Sequence, residues 1–522
     1  MNLSLLVIVP LITTVLLLFA RGQSGVRRIA LAGVSIQLVL AFALLVLYWQ
    51  ERGAEGAAVS AGTSAVNATA GNAAAAAATP FLFEYRHAWF SALHIDYHIG
   101  VDGISVAMIL LTAFVMLGAV LVSWTISSMT KEFFVLLLLL SAGAYGFFIS
   151  LDLFTLFFFL EVSVIPKFLL IGIWGSGRKE YAAMKLALML MAGSAMVFIG
   201  LLGLYYNTGA AGGSIPGAGG VSIAGAGGGS HTFDWPAIAQ MQVPLKAQLL
   251  FFPFLFVGFG IFTALFPFHT WVPDGHSSAP TAASMFLAGI SMKLGGYGCL
   301  RVAVSLMPAA AQEYSPFIVG LATIAIIYGA FATMMQKDLK YINAYSSVSH
   351  CGFILLGIGM LTRTAVNGAV MQMISHGLMT ALFFAAIGMI YDRTHTRLVE
   401  RLGGLLKIMP FISTIFVIAG LCSLGLPGLS GFAAEITVFM GSWQHPGGMY
   451  HLATILACAS IVVTAVYILR AMGQTIMGPV KDAPYNGLTD ATWNERLAGI
   501  VLVTGIIAIG VAPFWLNELI NK

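Results

Sequence analysis

Residues 281–307 read TAASMFLAGISMKLGGYGCLRVAVSLM, an apolar run with Lys293 near its centre. A helix needs roughly 20 mostly apolar residues to cross a bilayer, so this run predicts a membrane-spanning helix. An ammonium group at that depth is costly unless it is paired or hydrated. The stretch therefore predicts a membrane protein that keeps an ionisable group inside the bilayer because function requires it.

The rest of the chain has the same character. It has 522 residues, of which 59% are hydrophobic and 8% are charged, whereas a water-soluble domain carries about a quarter charged residues. Lipid must therefore be the main solvent, and we predict an all-α polytopic membrane protein of about fourteen transmembrane helices. The predicted spans are 3–20, 27–49, 101–125, 132–151, 153–175, 181–206, 247–268, 281–307, 316–335, 341–362, 365–391, 408–442, 450–477 and 497–517.

Lysine and arginine are divided unequally between the two sides that alternating spans create. Of the 24 such residues, sixteen fall on one side, including Lys337 and Lys340, six fall on the other, and two lie inside spans. The positive-inside rule places the richer side in the cytoplasm. We therefore predict that both termini lie on the outer, periplasmic side of a bacterial inner membrane. Because no basic residue precedes 3–20, we interpret that run as a retained helix and not as a cleaved signal.

Composition also limits the partners. Residues 53–79 are rich in alanine and 208–230 in glycine, and both stretches are predicted to be flexible outer loops. The four cysteines occupy separate apolar runs without a CxxC spacing, so no metal site or disulfide framework is predicted. With a net charge of only +4, we expect the bilayer and protons as partners, and no nucleic acid.

Five ionisable residues fall near the middle of five different spans. They are Glu161, Lys293, His350, His376 and Glu435. Ionisable residues inside a membrane are candidates for ion or proton pathways by default. Because all five share one depth, they predict a line of titratable groups parallel to the membrane, and hence a protein that moves protons.

Each of these residues also has a plainer interpretation. His376 taken alone could simply hydrogen-bond a neighbouring helix. Glu161 and Lys293 could form a structural ion pair, although such pairs contribute little net stability. His350 and His376 could ligate a haem between their helices.

Two spans contain helix-breaking residues at corresponding places. The twelfth contains LGLPGLSG at 424–431, and the seventh contains Pro253, Gly258 and Gly260 and ends at Pro267. Broken helices five spans apart predict inverted repeats, made of spans 4–8 and 9–13. The predicted organisation is 1–130 for helices 1–3 and an outer loop, 131–307 and 308–478 for the two repeats, and 479–522 for the last helix.

A polar segment, HTWVPDGHSSAPT at 269–281, falls on the predicted cytoplasmic side. Its residues His269, Asp274 and His276 could admit water and protons. The segment could also be a rigid, proline-bounded connector that caps the eighth helix through Thr281, and the two interpretations are compatible.

These motifs resemble those of a known family. Two stretches look like signatures of the antiporter-like subunits of respiratory complex I, NADH:quinone oxidoreductase. The first is 269–281, followed by LAGI at 287–290 and Lys293, and the second is QKDLKYINAYSSVSH at 336–350. YHIGVDGIS at 97–105 and FFFLE at 157–161 are most similar to the subunit M branch, the chain 4 homologue. The resemblance covers nearly the whole chain apart from the low-complexity stretches. A long lateral helix after the fourteenth span is not expected, which favours subunit M over the larger subunit L.

The resemblance implies a role for each buried residue. Glu161 modulates the neighbouring lysine, Lys293 links two half-channels, His350 and His376 carry the proton along the axis, and Glu435 stands at the exit side. Quinone reduction elsewhere in the enzyme drives these steps, so the chain is expected to contact other membrane subunits of complex I. It is expected to hold no redox cofactor itself.

One position departs from the family. The family has a lysine five positions before the proline that aligns with Pro267, and this chain has Phe262 there. Lys167 follows Pro166 in the fifth span, where the family usually has an apolar residue. We expect Lys167 to supply the missing charge near Glu161. The alternative is that this chain has lost part of its coupling and pumps poorly.

Two other functions remain open from the sequence. A subunit of a multi-subunit cation/proton antiporter, or the membrane arm of an energy-converting hydrogenase, shares the same core motifs. A haem-bearing membrane anchor would instead use His350 and His376 as ligands.

Overall fold

The computed structural model describes residues 1–65, 81–208, 231–241, 243–481, 485 and 487–521. Within these ranges the chain is almost entirely helical, with one β-hairpin. The helices are α1 (Leu5–Phe19), α2 (Gly22–Ala65), α3 (Gly103–Val122), α4 (Thr130–Ile149), α5 (Leu153–Val162), α6 (Val164–Trp174), α7 (Lys179–Thr208), α8 (Trp235–Gln240), α9 (Leu245–Phe262), α10 (Trp271–Ser278), α11 (Thr281–Phe286), α12 (Met292–Gly298), α13 (Pro308–Met334), α14 (Leu339–Gly359), α15 (Arg363–Thr394), α16 (Pro410–Ser423), α17 (Ser430–Trp443), α18 (Gly448–Thr475), α19 (Trp493–Val511) and α20 (Pro513–Asn521).

Ten helical stretches of the described chain are long and apolar enough to cross a membrane. They coincide with the predicted spans 2–7, 9, 11, 13 and 14, so the chain is an integral, multi-pass membrane protein. The other four predicted spans correspond to the short helix α1, to the helix that carries Lys293, to α14, and to the pair α16 and α17. The total of fourteen spans stays a prediction.

Spans 7 and 12 are both broken, but Pro253, Gly258 and Gly260 do not cause the first break, because they lie inside the continuous helix α9. The seventh span ends at Phe262 in α9 and resumes as α10 at Trp271. The twelfth is interrupted between Ser423 of α16 and Ser430 of α17. The inverted-repeat relation between these segments stays a prediction.

A third break, which the sequence analysis did not predict, divides the fifth span at Ser163 between α5 and α6. Its cause is Pro166, which lacks an N–H donor and whose ring opposes the carbonyl four residues earlier, on Val162. The break makes Lys167 the fourth residue of α6.

The helix that carries Lys293 is also irregular. Wider π-helical turns at Leu287–Ser291 and Cys299–Val304 flank α12 on both sides. Such turns are rare and occur often at functional sites. The sequence predicts one regular span here, because local composition does not reveal a π-turn.

The all-α prediction misses a β-hairpin. Strands β1 (Leu82–Phe90) and β2 (Ile95–Val101) pair antiparallel between α2 and α3. Arg86 and Asp96 pair across the hairpin at 2.6 Å, and His98 Nδ1 lies 2.6 Å from Asp234 Oδ1 in the next outer segment. Aromatic and β-branched side chains, which favour strands, are abundant in both segments.

The predicted low-complexity loops fall mostly outside the described residues. Residues 66–80 and 209–230 are not described. Residues 53–65, which were expected to be part of a flexible loop, continue α2 as helix. Alanine is the strongest helix former, so an alanine-rich stretch that follows a spanning helix can extend it.

The long helix α15 lies at the centre of the molecule. All of its most apolar 18-residue window is buried, and it contacts α3, α14, α16, α17 and α19. His376 lies near the middle of this helix, so one predicted site residue belongs to a helix that is surrounded by other helices.

Candidate functional site

The site begins at Lys293, whose side chain is fully buried in α12. Its ammonium group donates to the carbonyl of Ala288, within the preceding π-turn. It also lies 2.7 Å from Nδ1 of His376 on α15. The π-turn therefore exposes a backbone acceptor to the lysine, and the lysine in turn contacts a group that can take its proton.

His376 is followed along the site by His350 on α14. The two ring centroids are 5.3 Å apart, and both side chains are buried. His350 Nε2 lies 3.0 Å from the hydroxyl of Ser423. On its other face, His350 Nδ1 lies 3.3 Å from the amide nitrogen of Gln372 and 3.5 Å from Oε1 of Glu435.

These contacts give His350 two distinct bonding states. A neutral ring can accept from Gln372 at Nδ1 and donate to Ser423 at Nε2. A protonated ring carries hydrogen on both nitrogens, so Nδ1 must then turn from the amide donor toward the Glu435 carboxylate. Protonation of His350 therefore exchanges one partner for the other.

Glu435 is held at the break between α16 and α17. It is buried, and a Cβ atom added to Gly425 would come within 2.6 Å of Oε2. Gly425 also has a φ of +75°, a conformation that side chains with a Cβ rarely adopt. A glycine at this position therefore makes room for the carboxylate where the helix is unwound.

Glu161 does not contact Lys293. Its Oε1 is buried and has no hydrogen-bond partner among the described residues. The structure thus brings four of the five predicted mid-membrane residues into one series, and leaves the glutamate at a separate place on α5.

Lys167 lies between α5 and α9. Its side chain is 1% exposed, and Nζ donates to Ser163 Oγ at 3.0 Å. Nζ also stands 6.0 Å from the ring centroid of Phe262, a cation–π distance. The charge of Glu161 acts on the same lysine. Lys167 of α6 therefore lies near Phe262, as expected if it supplies the charge that the family resemblance predicts at that position.

The predicted cytoplasmic residues divide into an exposed and a buried group. Asp274 pairs with Lys185 at 2.7 Å, and both side chains are about a quarter exposed. His269 is buried and lies against Tyr328, with ring centroids 4.8 Å apart. His276 is fully buried, and neither ring nitrogen has a partner among the described residues.

The structure adds three residues that the sequence analysis missed. Gln372 lies one helical turn before His376 on α15, and its i, i+4 spacing could have revealed it. Ser423 ends α16 at the break. Lys340 was counted among the basic residues on the predicted cytoplasmic side, but its side chain is only 4% exposed. Its burial was missed because it lies close to the polar residue Asp338, which caps the helix.

The arrangement disfavours haem ligation by the two histidines. Their ring centroids are only 5.3 Å apart, which leaves no space for a macrocycle between the rings. His376 Nδ1 contacts Lys293 and both nitrogens of His350 contact side chains, so that of the four ring nitrogens only Nε2 of His376 has no partner among the described residues. Axial haem ligands need free nitrogens facing a macrocycle between them.

Comparison with known proteins identifies the family of the chain. A model of the family described as NADH:quinone oxidoreductase/Mrp antiporter, transmembrane region, matches residues 150–464. The chain is 38% identical to a NAD(P)H-quinone oxidoreductase chain 4 of Picosynechococcus over 76% of its own length and 69% of that protein's. It is 34% identical to NADH-quinone oxidoreductase subunit M of Rickettsia conorii over 83% of each chain.

Solved structures share the fold. A chain of respiratory complex I from Thermus thermophilus matches with a TM-score of 0.83 at 23% identity, over 99% of this chain and 98% of that one. A chain of the Mrp complex from Dietzia matches with a TM-score of 0.79 at 18% identity, over 99% and 95%. A chain of the archaeal membrane-bound sulfane sulfur reductase gives 0.79 at 20% identity, over 99% and 96%.

Proposed function

The chain belongs to the NADH:quinone oxidoreductase/Mrp antiporter family of membrane subunits, and from that premise we propose that it translocates protons as an antiporter-like subunit, of the subunit M or chain 4 type, of a complex I. The observation that carries the proposal is the 2.7 Å contact between Lys293 and His376. From that contact, buried titratable groups continue through His350 to Glu435. This subunit contributes no redox chemistry of its own to the enzyme.

Transfer begins when the Lys293 ammonium passes its proton to His376 Nδ1. The lysine becomes a neutral amine, and the imidazole becomes a cation. Lys293 loses a positive charge and His376 gains one, so one charge moves along the membrane plane. Because burial disfavours every charged form, each intermediate is short-lived unless a partner stabilises it.

The next transfer crosses the gap between the two histidine rings, which we propose is bridged by water. His350 then exchanges its contact with Gln372 for one with Glu435, as its two bonding states require. Glu435 receives the proton at the broken twelfth span. Unwound backbone at membrane depth occurs where it is buried or lines a water-filled cavity, so this is a suitable place for release.

The other half of the subunit controls Lys293 through charge. We propose that Glu161 and Lys167 act as a coupled pair. Lys167 would then take the role of the lysine that the family has at the position of Phe262. Opposite charges favour each other's ionised form, so movement of Glu161 or Lys167 changes the charge that Lys293 experiences. The cation–π distance of Lys167 from Phe262 supports the replacement.

Protons reach Lys293 from the predicted cytoplasmic side through His269, Asp274 and His276. The partly exposed pair of Asp274 with Lys185 supports a water-accessible mouth. The buried, unpartnered ring of His276 supports a hydrated site beyond it.

The finer architecture is part of the proposal. Fourteen spans, with inverted repeats over 131–307 and 308–478 flanked by 1–130 and 479–522, account for the paired breaks in spans 7 and 12. Both termini face the periplasm of a bacterial cytoplasmic membrane, as the distribution of basic residues favours. The partners are other membrane subunits, and quinone reduction in them supplies the free energy.

The test replaces Lys293 by alanine in the assembled enzyme, reconstituted in vesicles. We expect Lys293→Ala to abolish proton translocation through this subunit while the enzyme still assembles and oxidises NADH. Lys246→Ala is the matched control, because Lys246 is exposed at the start of α9. Proton translocation by Lys293→Ala equal to that of the control contradicts the proposal.

A cation/proton antiporter subunit is the second candidate, favoured by the fold shared with the Mrp complex chain. Purification of the native assembly distinguishes the two. Flavin-containing and iron–sulfur subunits that copurify support a complex I, and their absence from an intact assembly supports the antiporter.

A further inference from the structure

Lys340 is a buried charge that the proposed pathway does not yet use. It is the second residue of α14, and its side chain is 4% exposed. A cation is disfavoured near a helix N-terminus, where the backbone dipole is positive. The charge of Lys340 therefore destabilises the fold for two reasons, its burial and its place at the helix N-terminus. This indicates that the lysine has a role other than stability.

The contacts of Lys340 lead to the segment that precedes the Lys293 helix. Its Nζ donates to the carbonyl of Ala279 at 2.8 Å. An ammonium group has three hydrogens to donate, and in the described part of the chain no carboxylate lies within ion-pair distance of this one. The remaining donors are therefore available for water.

The segment does not need Lys340 to hold it in place. The carbonyl of Ser277 accepts from Arg397 at 2.8 Å, and the carbonyl of Ser278 accepts from the backbone of Ser176 at 2.8 Å. Arg397 also pairs with Asp338 at 3.2 Å. A permanently charged arginine thus fixes the segment, while a lysine, which can lose its proton, occupies the adjacent carbonyl.

His276 lies on α10, which packs against α14, and it is close enough to both Lys340 and Lys293 for their charges to act on it. Its ring is fully buried with both nitrogens unpartnered among the described residues. An orphaned buried imidazole is expensive unless water or a mobile proton satisfies it. Lys340 at the start of α14, the unpartnered ring of His276 and Lys293 in α12 are therefore three buried titratable groups near one another.

We infer that Lys340 is a proton-carrying residue on the cytoplasmic side, which loads His276 through water and so supplies Lys293. The inference rests on the proposed proton-translocating function. In the step itself, the Lys340 ammonium releases one proton to bridging water, the water passes one to a nitrogen of His276, and the amine regains its proton from the cytoplasm. No electron moves and no bond between heavy atoms changes.

Several charged groups face Lys340 and set its proton affinity. They are Asp338 at the N-cap of α14, Asp392 on α15, Arg397 after α15, and His276 on α10. Burial of the side chain disfavours the ammonium most strongly, Arg397 also opposes it, and the two carboxylates favour it. The pathway is therefore expected to load from the cytoplasm in a pH-dependent way.

The test uses the assembled enzyme in vesicles and two variants. Lys340→Met removes the titratable group, and Lys340→Arg keeps both the charge and a donor for Ala279 but cannot lose a proton near neutral pH. We expect each to reduce proton translocation through this subunit at least about tenfold, with NADH oxidation retained. Lys337→Met is the matched control, since that lysine is 72% exposed and pairs with Glu400.

A structural role predicts a different pattern. If Lys340 only holds Ala279, Lys340→Arg translocates protons normally, and this result overturns the inference. Wild-type translocation by Lys340→Met also overturns it. If Lys340→Met does not assemble, Lys340→Arg decides alone.

Lys340→His provides a separate readout. We expect it to retain partial activity with a pH optimum moved toward acid, because histidine ordinarily titrates about four units below lysine. An unchanged pH profile contradicts the inference. Loss of pumping in Lys293→Ala with normal pumping in Lys340→Arg overturns this inference alone, whereas normal pumping in Lys293→Ala overturns the proposed function itself.

Discussion

The two halves of the membrane core differ in how their buried charges are connected. From Lys293 to Glu435, each titratable side chain reaches the next through a direct contact or across one gap between two rings. On the side of Glu161, Lys167 lies with its ammonium group 6.0 Å from the ring of Phe262, the residue that the family resemblance places where a lysine is expected. Under the proposed function, the first half therefore conducts protons through contacts, whereas the second half acts through charge.

The largest effect is expected from the conducting half. Glu435→Gln keeps the size of the side chain and removes its ability to take a proton. Because loss of a positioned acid or base typically slows proton transfer about a hundredfold or more, we expect translocation through this subunit to be abolished on the time scale of turnover. Proton uptake into vesicles at matched rates of NADH oxidation measures it. Unimpaired pumping would mean that the contact series from Lys293 does not end at this carboxylate.

A smaller effect is expected from the other half. Lys167→Met removes a charge that acts at a distance, and a coupling of about one pKa unit corresponds to roughly tenfold in rate. We expect pumping to fall by about that factor. The double variant Lys167→Met with Phe262→Lys is expected to recover most of it, because a lysine returns to the family's position.

The double variant tests whether Lys167 replaces the missing lysine. Recovery of pumping identifies Lys167 as the replacement for the missing lysine. A double variant as impaired as Lys167→Met, in an enzyme that assembles normally, contradicts the replacement and favours a subunit with weakened coupling.

Ser163 provides a more local test of the same half. Ser163→Ala removes the hydroxyl that accepts from Lys167 at 3.0 Å. A hydrogen bond to a charged group contributes about 1.5–3 kcal/mol, so we expect the pH profile of proton pumping to shift toward acid as the ammonium form is disfavoured. Ser163→Thr keeps the hydroxyl and is the control. An unchanged profile in Ser163→Ala indicates that the serine does not position Lys167.

The smallest effect concerns the outer end of α5. Asp152 caps this helix by accepting from the amide of Thr155 at 2.9 Å, and burial raises its pKa to about 6. A carboxyl with a raised pKa contributes stability below its unfolded pKa and loses it as pH rises through about 6. Because burial disfavours the ionised carboxylate, we expect Asp152→Asn, which retains a capping oxygen, to be at least as protected as the wild type at pH values above about 6.

Hydrogen exchange at the Thr155 amide measures this effect. Asp152→Ala, which has no capping oxygen, should lose about 1 kcal/mol of protection. Equal losses in Asp152→Asn and Asp152→Ala at neutral pH would show that the charge itself, and not the cap, stabilises the start of α5.

Much of the fold followed from the sequence because bilayer thickness fixes the length of an apolar helix. Lys293, His376, His350 and Glu435 were identifiable for the same reason, since a charge inside an apolar run is conspicuous. Their connection was not, because the contacts depend on how five helices pack around α15. The break at Ser163 could have been read from Pro166.

Features that depend on tertiary packing escaped prediction. The π-turns around α12 have no compositional signature. Lys340 was counted among exposed basic residues because it follows Lys337 and Asp338 in a polar stretch, and only the packing of α14 against 277–280 buries it. The hairpin of β1 and β2 was missed because apolar spans dominate the hydropathy of the chain.

The proposed proton pathway depends on the contact between Lys293 and His376, and replacing His376 tests this contact directly. The number of protons translocated per NADH oxidised should be compared in His376→Leu, in the exposed control His87→Leu, and in the wild-type enzyme. We expect a lower ratio in His376→Leu, with NADH oxidation continuing and the control unchanged. A ratio in His376→Leu equal to that of the wild type would contradict it.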